Sequence, residues 1–313
     1  MITIIHQGSF TTIQDEGRFG YQAYGMPSAG AMDRYACKVA NLLVGNHASA
    51  AVIEMTGFGA SFKFDEEQFV AVCGADMHGN MNGVPIRNWS SFTVARGSEI
   101  KFHAAAEGYR TYLALAGGID VPIVLGSRST YTRAKVGGYE GRVLWQGDVL
   151  TIGKANALPI QPRNLESNCI PPYSEQINLR VILGPQDHLF TPDAIKAFFE
   201  STYTITEQAN RINYRLKGPR ITHVGKADIV SDAVCLGAIQ VPASGMPIIM
   251  TADHQTTGGF AKLGSVIRVD LSTLAQGRPG DQIRFRCVAE AEAIEALKDE
   301  QQRYSNIENL CNL

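Results

Sequence analysis

Two side chains of opposite charge flank a turn glycine near the start of the chain. The segment Gln14-Asp-Glu-Gly-Arg18 puts the carboxylate of Asp15 and the guanidinium of Arg18 three positions apart. The pair could face a substrate, or it could be an internal ion pair that pins a loop. Asp33 opens a predicted helix, where a carboxylate also complements the helix dipole. We predict Asp15, Arg18 and Asp33 as catalytic residues and Gln14 as a substrate-binding residue.

A second group of hydrogen-bond donors follows Gly126. Ser127, Arg128, Ser129 and Thr130 are consecutive, and such a dense set of donors suits a carboxylate or a phosphate. The guanidinium of Arg128 can bind such a group through two parallel hydrogen bonds. A turn with solvated hydroxyls is the alternative. We predict that these four residues bind substrate.

Two arginines, Arg211 and Arg215, are spaced by four positions. If they lie in one strand, both side chains point to the same face of the sheet. We predict them as substrate-binding residues, with solvated surface cations as the alternative.

The strongest candidate segment ends in a pair of glycines. Its polar side chains and backbone amides can converge on one small polar ligand or on a developing oxyanion. A plain hairpin with a Gly-Gly turn is the alternative. We predict Asp253 as a catalytic residue, and we predict five substrate-binding residues here, Gln240, Gln255, Thr256, Thr257 and Gly258. We expect residues 253–259 to share a cleft with Gln240 and residues 127–130.

Composition excludes several classes of protein. The chain has 313 residues, 45% of them apolar, so two domains are expected. It has 28 basic residues against 30 acidic ones, so no basic surplus attracts nucleic acid or membranes. Neither a P-loop nor a Rossmann fingerprint is present. The seven histidines are scattered, and the six cysteines lack ligand spacing, so we predict no metal site and mostly buried, reduced thiols. No secretion signal is visible, which favours a cytoplasmic location.

The elements that must position these residues are mostly short strands. A glycine turn precedes an alternating strand three times, at 96–102, 146–152 and 279–285, which indicates two related β-barrels. Apolar spacing predicts helices at 31–44, from Thr191 to about Glu200, and from Glu290 to about Tyr304. Four prolines in residues 157–173 mark a boundary between domains at 1–160 and 174–313.

Eight ordered motifs give the whole chain a resemblance to a known family. They are TIQDEGRFGY at 12–21, GAMD at 30–33, ANLLVGN at 40–46, YLALAGGIDVP at 112–122, LGSRST at 125–130, GGYEGR at 137–142, GAIQVP at 237–242 and DHQTTGG at 253–259. Together they resemble the family of the 5-oxoprolinase C-subunit, also called allophanate hydrolase subunit 2 or KipI antagonist. That family is related to the carboxyltransferase domain of urea amidolyase.

The resemblance implies a mainly β fold with two cyclophilin-like β-barrel lobes and a few short helices. It also implies a hydrolase subunit that opens 5-oxoproline to glutamate with ATP and Mg, together with a KipI-like B-subunit and an A-subunit of 5-oxoprolinase. Two departures stand out: Asn213 replaces a glycine of the family pattern, and Phe260 replaces a tyrosine. His254 stands at a position that varies in the family, which argues against a catalytic role for it.

Two other functions stay open at this point. One is a biotin-dependent carboxyltransferase acting on urea or a similar amide, although the chain lacks the Met-Lys-Met segment that carries biotin and has no ATP-grasp domain. The other is a non-catalytic antagonist of a KipI-like kinase inhibitor. The same surface that binds a catalytic partner could serve that role.

Overall fold

The computed structural model describes residues 1–155 and 161–311, so residues 157–160 of the predicted linker lie outside the described residues. The chain divides into two compact units. The first comprises Met1–Arg18, Ala29–Tyr173 and Gln302–Leu313, and the second Phe19–Ser28 and Ser174–Gln301. Relative to the predicted domains, a short N-terminal segment therefore groups with the second unit and the C-terminal segment with the first.

Strands are the main regular element of the first unit, which confirms the mainly β prediction. Within its described residues the strands are β1 (Ile2–His6), β2 (Phe10–Gln14), β3 (Val52–Thr56), β4 (Ser61–Phe64), β5 (Gln68–Asp76), β6 (Asn80–Met81), β7 (Val84–Pro85), β8 (Ser90–Val94), β9 (Glu99–Lys101), β10 (Glu107–Leu115) and β11 (Val149–Leu150). They form one sheet in the order β11-β1-β4-β9-β6-β7 and another in the order β2-β3-β10-β5-β8.

Strand alternation separates two apolar cores in this unit. In β10, Leu113 and Leu115 join the core formed by both sheets, whereas Tyr112 and Ala114 join the core beneath helix α1 (Arg34–Leu43). Successive side chains of a strand point to opposite faces, so one strand supplies both cores. Helix α1 begins later than predicted because the Asp33 carboxylate caps it, accepting a hydrogen bond from the Ala36 N–H at 2.9 Å.

A closed barrel forms the centre of the second unit. The described strands of this unit are β12 (Gln176–Leu183), β13 (Thr202–Ile205), β14 (Asn213–Lys217), β15 (Asp228–Ala233), β16 (Ala238–Gln240), β17 (Ile248–Met250), β18 (Thr257–Phe260), β19 (Lys262–Val266) and β20 (Gln282–Cys287). The barrel runs β12-β19-β16-β17-β14-β13-β20, and the parallel pair β12–β20 closes it. Strands β15 and β18 pair with each other outside the barrel as a small antiparallel sheet.

The helices of this unit follow the sequence signals in part. Helix α2 (Pro192–Glu200) starts as predicted, with the Thr191 hydroxyl accepting from the Ala194 N–H at 3.2 Å. Helix α4 (Glu290–Cys311) begins at the predicted residue and extends further, and the short α3 (Asp270–Ala275) has no counterpart in the prediction.

The three glycine turns are confirmed. Gly97, Gly147 and Gly280 have φ angles of +83°, +91° and +99°, and they precede β9, β11 and β20. A side chain is strained in this left-handed conformation, which is why glycine recurs at each turn.

The prediction that most cysteines are buried is wrong for the thiols that the structure describes. Cys37 and Cys73 are buried, but Cys169 is half-buried, and Cys235 and Cys287 are exposed. Cys169 ends a short 3-10 helix at the edge of the core, Cys235 lies in a loop and Cys287 ends β20. Separately, no helix in the described part of the chain is both long and apolar enough to cross a membrane.

Candidate functional site

The donors that follow Gly126 do converge on a carboxylate, and that carboxylate belongs to Asp15 of the same chain. The Asp15 Oδ1 accepts hydrogen bonds from the Ser127 hydroxyl at 2.7 Å, from the Ser129 hydroxyl, and from the Gly17 N–H at 2.8 Å. The Oδ2 accepts from the Arg128 N–H at 2.6 Å. With four donors and little exposure, Asp15 fastens the loop of residues 127–130 to the end of β2.

Arg18 and Gln14 strengthen the same attachment. The buried Arg18 guanidinium donates to the Val124 carbonyl at 3.0 Å and to the Ser129 carbonyl at 2.7 Å. The Gln14 side-chain amide donates to the Thr130 carbonyl at 3.2 Å. These contacts bring Gln14, Asp15, Arg18 and residues 127–130 together as loop anchors, although the buried Gln14 Oε1 has no hydrogen-bond partner among the described residues.

Asp33 lies in a separate buried group beneath the start of α1. Its backbone N–H donates to the Tyr112 hydroxyl at 2.7 Å, and that hydroxyl donates to the Glu54 Oε2 at 2.7 Å. Burial, together with the Glu54 and Asp33 carboxylates, raises the pKa of Tyr112 well above its ordinary value. Tyr112 therefore stays protonated and joins the helix start to β3. Sequence reasoning missed Glu54, although a glutamate inside an apolar strand is an available signal.

A cleft of about 480 Å³ opens beside these groups in the first unit. It is lined by residues 120–122 and Val124, by Lys135, by residues 137–141 and by residues 149–151 at β11. Its charged lining is of mixed sign: Asp120, Lys135 and Glu140. Ser127, Ser129 and Thr130 are buried and do not line it.

In the second unit, Arg211 and Asp253 form a buried two-bond ion pair. The Arg211 Nε and Nη2 donate to the Asp253 carboxylate at 3.0 and 2.9 Å, and both side chains are less than a tenth exposed. Arg211 precedes β14, whereas Arg215 lies within β14 and is exposed, so the two arginines do not share a strand face. The pair ties the start of β14 to the end of β17.

The Gly-Gly pair lies in a strand rather than in a turn. Gly258 and Gly259 belong to β18, while Gln255 and Thr257 are exposed and Thr256 is half-buried. His254 is buried, and burial lowers its pKa below the ordinary value, so its ring is neutral at pH 7. Gly258 lies so close to the barrel that a Cβ there would be 2.6 Å from the Gln240 Nε2.

A cluster of four polar residues beneath β15 and β18 is the best candidate binding group of this unit. Lys262 is 3% exposed, and its ammonium donates to the Asp232 Oδ2 at 2.9 Å. The Gln186 amide donates to the same oxygen at 3.4 Å. Gln240 stands opposite Lys262 in the β16–β19 register and is 2% exposed. Among the described residues, its buried Nε2 has no hydrogen-bond partner.

Of these four residues, only Gln240 was predicted. The sequence does carry a signal for Lys262, because a single lysine interrupts the apolar run from Ala261 to Ile267. Gln186 and Asp232 lie on separate segments, and only the folded register brings them to the lysine. The cluster can hold an anionic or carbonyl oxygen, because it offers an ammonium and two amide groups.

The two groups of predicted residues lie in different units, and their common cleft stays a prediction. Among the residues described, no cluster of three or more His, Cys, Asp or Glu side chains is arranged to hold a metal ion.

The mainly β fold with its closed barrel and its two polar groups matches a known family. Residues 24–287 match the model of the carboxyltransferase domain, subdomain A and B, and the chain belongs to this family. It is 35% identical over 304 residues to the 5-oxoprolinase C-subunit of Escherichia coli K12, covering 97% of this chain and 96% of that protein. It is 33% identical to the 5-oxoprolinase C-subunit of Haemophilus influenzae, covering 94% and 93% of the two chains. The resemblance stated from the motifs is thereby confirmed.

A solved structure shares the fold over almost the whole chain. The structure of the K. lactis urea amidolyase superposes with a TM-score of 0.93 at 30% identity. The match covers 98% of this chain but only 20% of that much longer protein.

Proposed function

We propose that the chain is one subunit of an ATP-dependent 5-oxoprolinase that opens 5-oxoproline to glutamate, working with a KipI-like B-subunit and an A-subunit. The observation that carries the proposal is end-to-end similarity. The chain aligns with nearly the full length of two proteins named as the C-subunit of 5-oxoprolinase, whereas it corresponds to a fifth of the urea amidolyase. Similarity over nearly the full length of two proteins that are named as separate subunits supports a subunit role for this chain.

The chemistry suits a protein that supplies anion-binding donors. Opening a lactam with water is uphill without coupling. In the proposed route ATP transfers its γ-phosphoryl group to the lactam oxygen and leaves as ADP, and water then adds to the activated carbon. The C–N bond breaks, the ring nitrogen leaves as the amine, and a second water hydrolyses the resulting acyl phosphate to glutamate and phosphate. Both the substrate and the developing oxyanion carry negative charge, which fixed donors stabilise. The ammonium of Lys262 and the amides of Gln186 and Gln240 are such donors in this chain. ATP and Mg belong to the complex, and we assign no residue of this chain to them.

A carboxyltransferase acting on urea or a similar amide is the second candidate. The close superposition with the urea amidolyase favours it. Biotin on a separate carrier protein would then be required, because the chain lacks the Met-Lys-Met segment that carries biotin. The same donors would polarise the carbonyl group of urea.

Reconstitution with the candidate partners tests the two functions against each other. The chain is co-expressed with the proposed A- and B-subunits, and the purified complex is given ATP, Mg and either 5-oxoproline or urea with bicarbonate, a biotin carboxylase and a biotin carrier. We expect phosphate release that depends on 5-oxoproline and an equal amount of glutamate. Carboxylation of urea without glutamate formation would support the second candidate. Failure of the chain to co-purify with either partner would contradict the proposed assembly.

A further inference from the structure

Three residues of the cluster lie in a ring of contacts that Gly258 completes. Asp232 on β15 stands opposite Gly258 on β18, and Gly258 lies against the Gln240 amide. Gln240 on β16 stands opposite Lys262 on β19, and Lys262 pairs with Asp232. Residues directly opposite each other in antiparallel strands have Cβ atoms about 5 Å apart. The two buried donors and the carboxylate therefore surround one small volume.

This cluster holds more donors than acceptors. The Lys262 ammonium has three N–H groups, and the described residues offer it a single acceptor, the Asp232 Oδ2. The Gln240 Nε2 is buried with no acceptor among those residues. Gln186 faces the same oxygen, because its Oε1 accepts from the Lys262 backbone N–H at 3.1 Å and so fixes the direction of its Nε2. Buried donors without acceptors are costly, and a ligand with two oxygens would satisfy them.

Asp232 is the member of the cluster that a ligand can displace most easily. Its side chain is 51% exposed, whereas that of Lys262 is 3% exposed. It lies on the two-stranded sheet outside the barrel, whose register shifts between Asp228 and Asp232. Small two-stranded sheets are marginally stable on their own. An exposed side chain changes rotamer readily, so the Asp232 carboxylate can leave the Lys262 ammonium without a change in the barrel.

We propose that Lys262, Gln240 and Gln186 form a binding site for the carboxylate group of a small organic acid, and that Asp232 occupies this site until the ligand displaces it. The resident group is itself a carboxylate, so the donors already suit that geometry. If the proposed function holds, the carboxylate of 5-oxoproline is the natural occupant. The choice of that probe rests on the proposed function, whereas the site itself does not.

Binding to the full-length chain tests the proposal. Acetate and 5-oxoproline are titrated separately into the wild type, the Asp232→Asn variant and the double variant Asp232→Asn with Lys262→Met, and affinity is measured by calorimetry. Removing the competing carboxylate should tighten binding about tenfold or more, and removing the ammonium should abolish the gain. The matched control combines Asp232→Asn with Lys217→Met, since Lys217 is exposed on β14, and it should bind like Asp232→Asn alone.

A second readout needs no change at Lys262. The hydrogen bond from Lys262 holds the pKa of Asp232 below its ordinary value. In the wild type, saturating acetate should release Asp232, and its carboxyl resonance should then titrate nearer the ordinary pKa.

Four outcomes separate the possibilities. Equal affinity of Asp232→Asn and its Lys262→Met double variant, or an unchanged Asp232 titration, would overturn the proposal. Tighter binding of inorganic phosphate than of acetate would also overturn it, because the site would then be a phosphate site. Binding of acetate but not of 5-oxoproline would support the carboxylate site and count against the proposed substrate. Binding of both supports the proposal, and a reconstituted complex that then fails to open 5-oxoproline would overturn the proposed function alone.

Discussion

Replacing Asp15 with asparagine should destabilise the first unit, because that carboxylate accepts four hydrogen bonds from buried or nearly buried groups. The carbonyl oxygen of the new amide can keep the three bonds made to Oδ1, but its NH2 group would then face the Arg128 N–H, which now donates to Oδ2 at 2.6 Å. A buried N–H left without an acceptor costs about 1–3 kcal/mol, and the remaining bonds lose the help of the charge. We therefore expect the free energy of unfolding to fall by about 2–4 kcal/mol.

Urea unfolding followed by tryptophan fluorescence measures this loss of stability in the first unit, which contains Asp15. The chain has two tryptophans, Trp89 and Trp145, and both belong to the first unit. Asp120→Asn is the matched control: its side chain is 56% exposed and lies 3.4 Å from Arg128, so its loss should cost less than about 1 kcal/mol. If Asp15→Asn unfolds at the same urea concentration as the control while the complex loses turnover, Asp15 is a catalytic residue and our reasoning about the loop is wrong.

Three further predictions concern the second unit. Asp253→Asn breaks the buried ion pair with its guanidinium partner and should cost about 3–5 kcal/mol in thermal unfolding; a variant as stable as the wild type would contradict a structural role. Burial lowers the pKa of His254 below 6.5 in the folded chain. As the pH falls, the unfolded chain therefore binds a proton at this ring more readily than the folded chain does, so the free energy of unfolding should decrease below pH 6.5. His254→Gln should weaken this dependence in urea unfolding at pH 5.5 and 7.5, and an identical slope would refute it. Gly258→Ala places a Cβ 2.6 Å from the Gln240 Nε2 and should lower the free energy of unfolding by about 1 kcal/mol. Gly259→Ala is the control, because the nearest atom to its Cβ is 3.5 Å away, and it should lower that free energy less. Equal losses of stability would show that the close approach of the Gln240 amide is unimportant.

Local signals determined most of the fold. The glycine turns, the amphipathic pattern of α1 and the cap of α2 depend on neighbouring residues, so the sequence could reveal them. The short helix α3 escaped prediction because six residues are too few for a clear apolar period. The Gly-Gly turn, the alternative interpretation of this segment, is not formed; Gly258 lies in β18 and admits the Gln240 side chain, a contact that no local pattern encodes.

The chemistry of the candidate site residues was easier to predict from the sequence than the groups that those residues contact. The donors of residues 127–130 were expected to bind a carboxylate or a phosphate. Ser127, Arg128 and Ser129 bind the carboxylate of Asp15, more than 110 positions away, whereas Thr130 donates to the Ile13 carbonyl. Lys262 was missed because its role depends on the register of β19 against β16, which shifts by one residue beside Gln240. A shift of one residue moves a side chain to the other face of a sheet, and the sequence does not specify where the shift occurs.

Glutamate formation from 5-oxoproline, with this chain present or omitted, tests the central claim most directly. The A- and B-subunits are held at fixed concentrations with ATP and Mg, this chain is titrated in, and glutamate is quantified. The account predicts negligible glutamate without the chain, negligible glutamate from the chain alone, and a rate that rises with added chain until the complex is saturated. A full rate without this chain, or robust 5-oxoproline-dependent ATP hydrolysis by the chain alone, would contradict it.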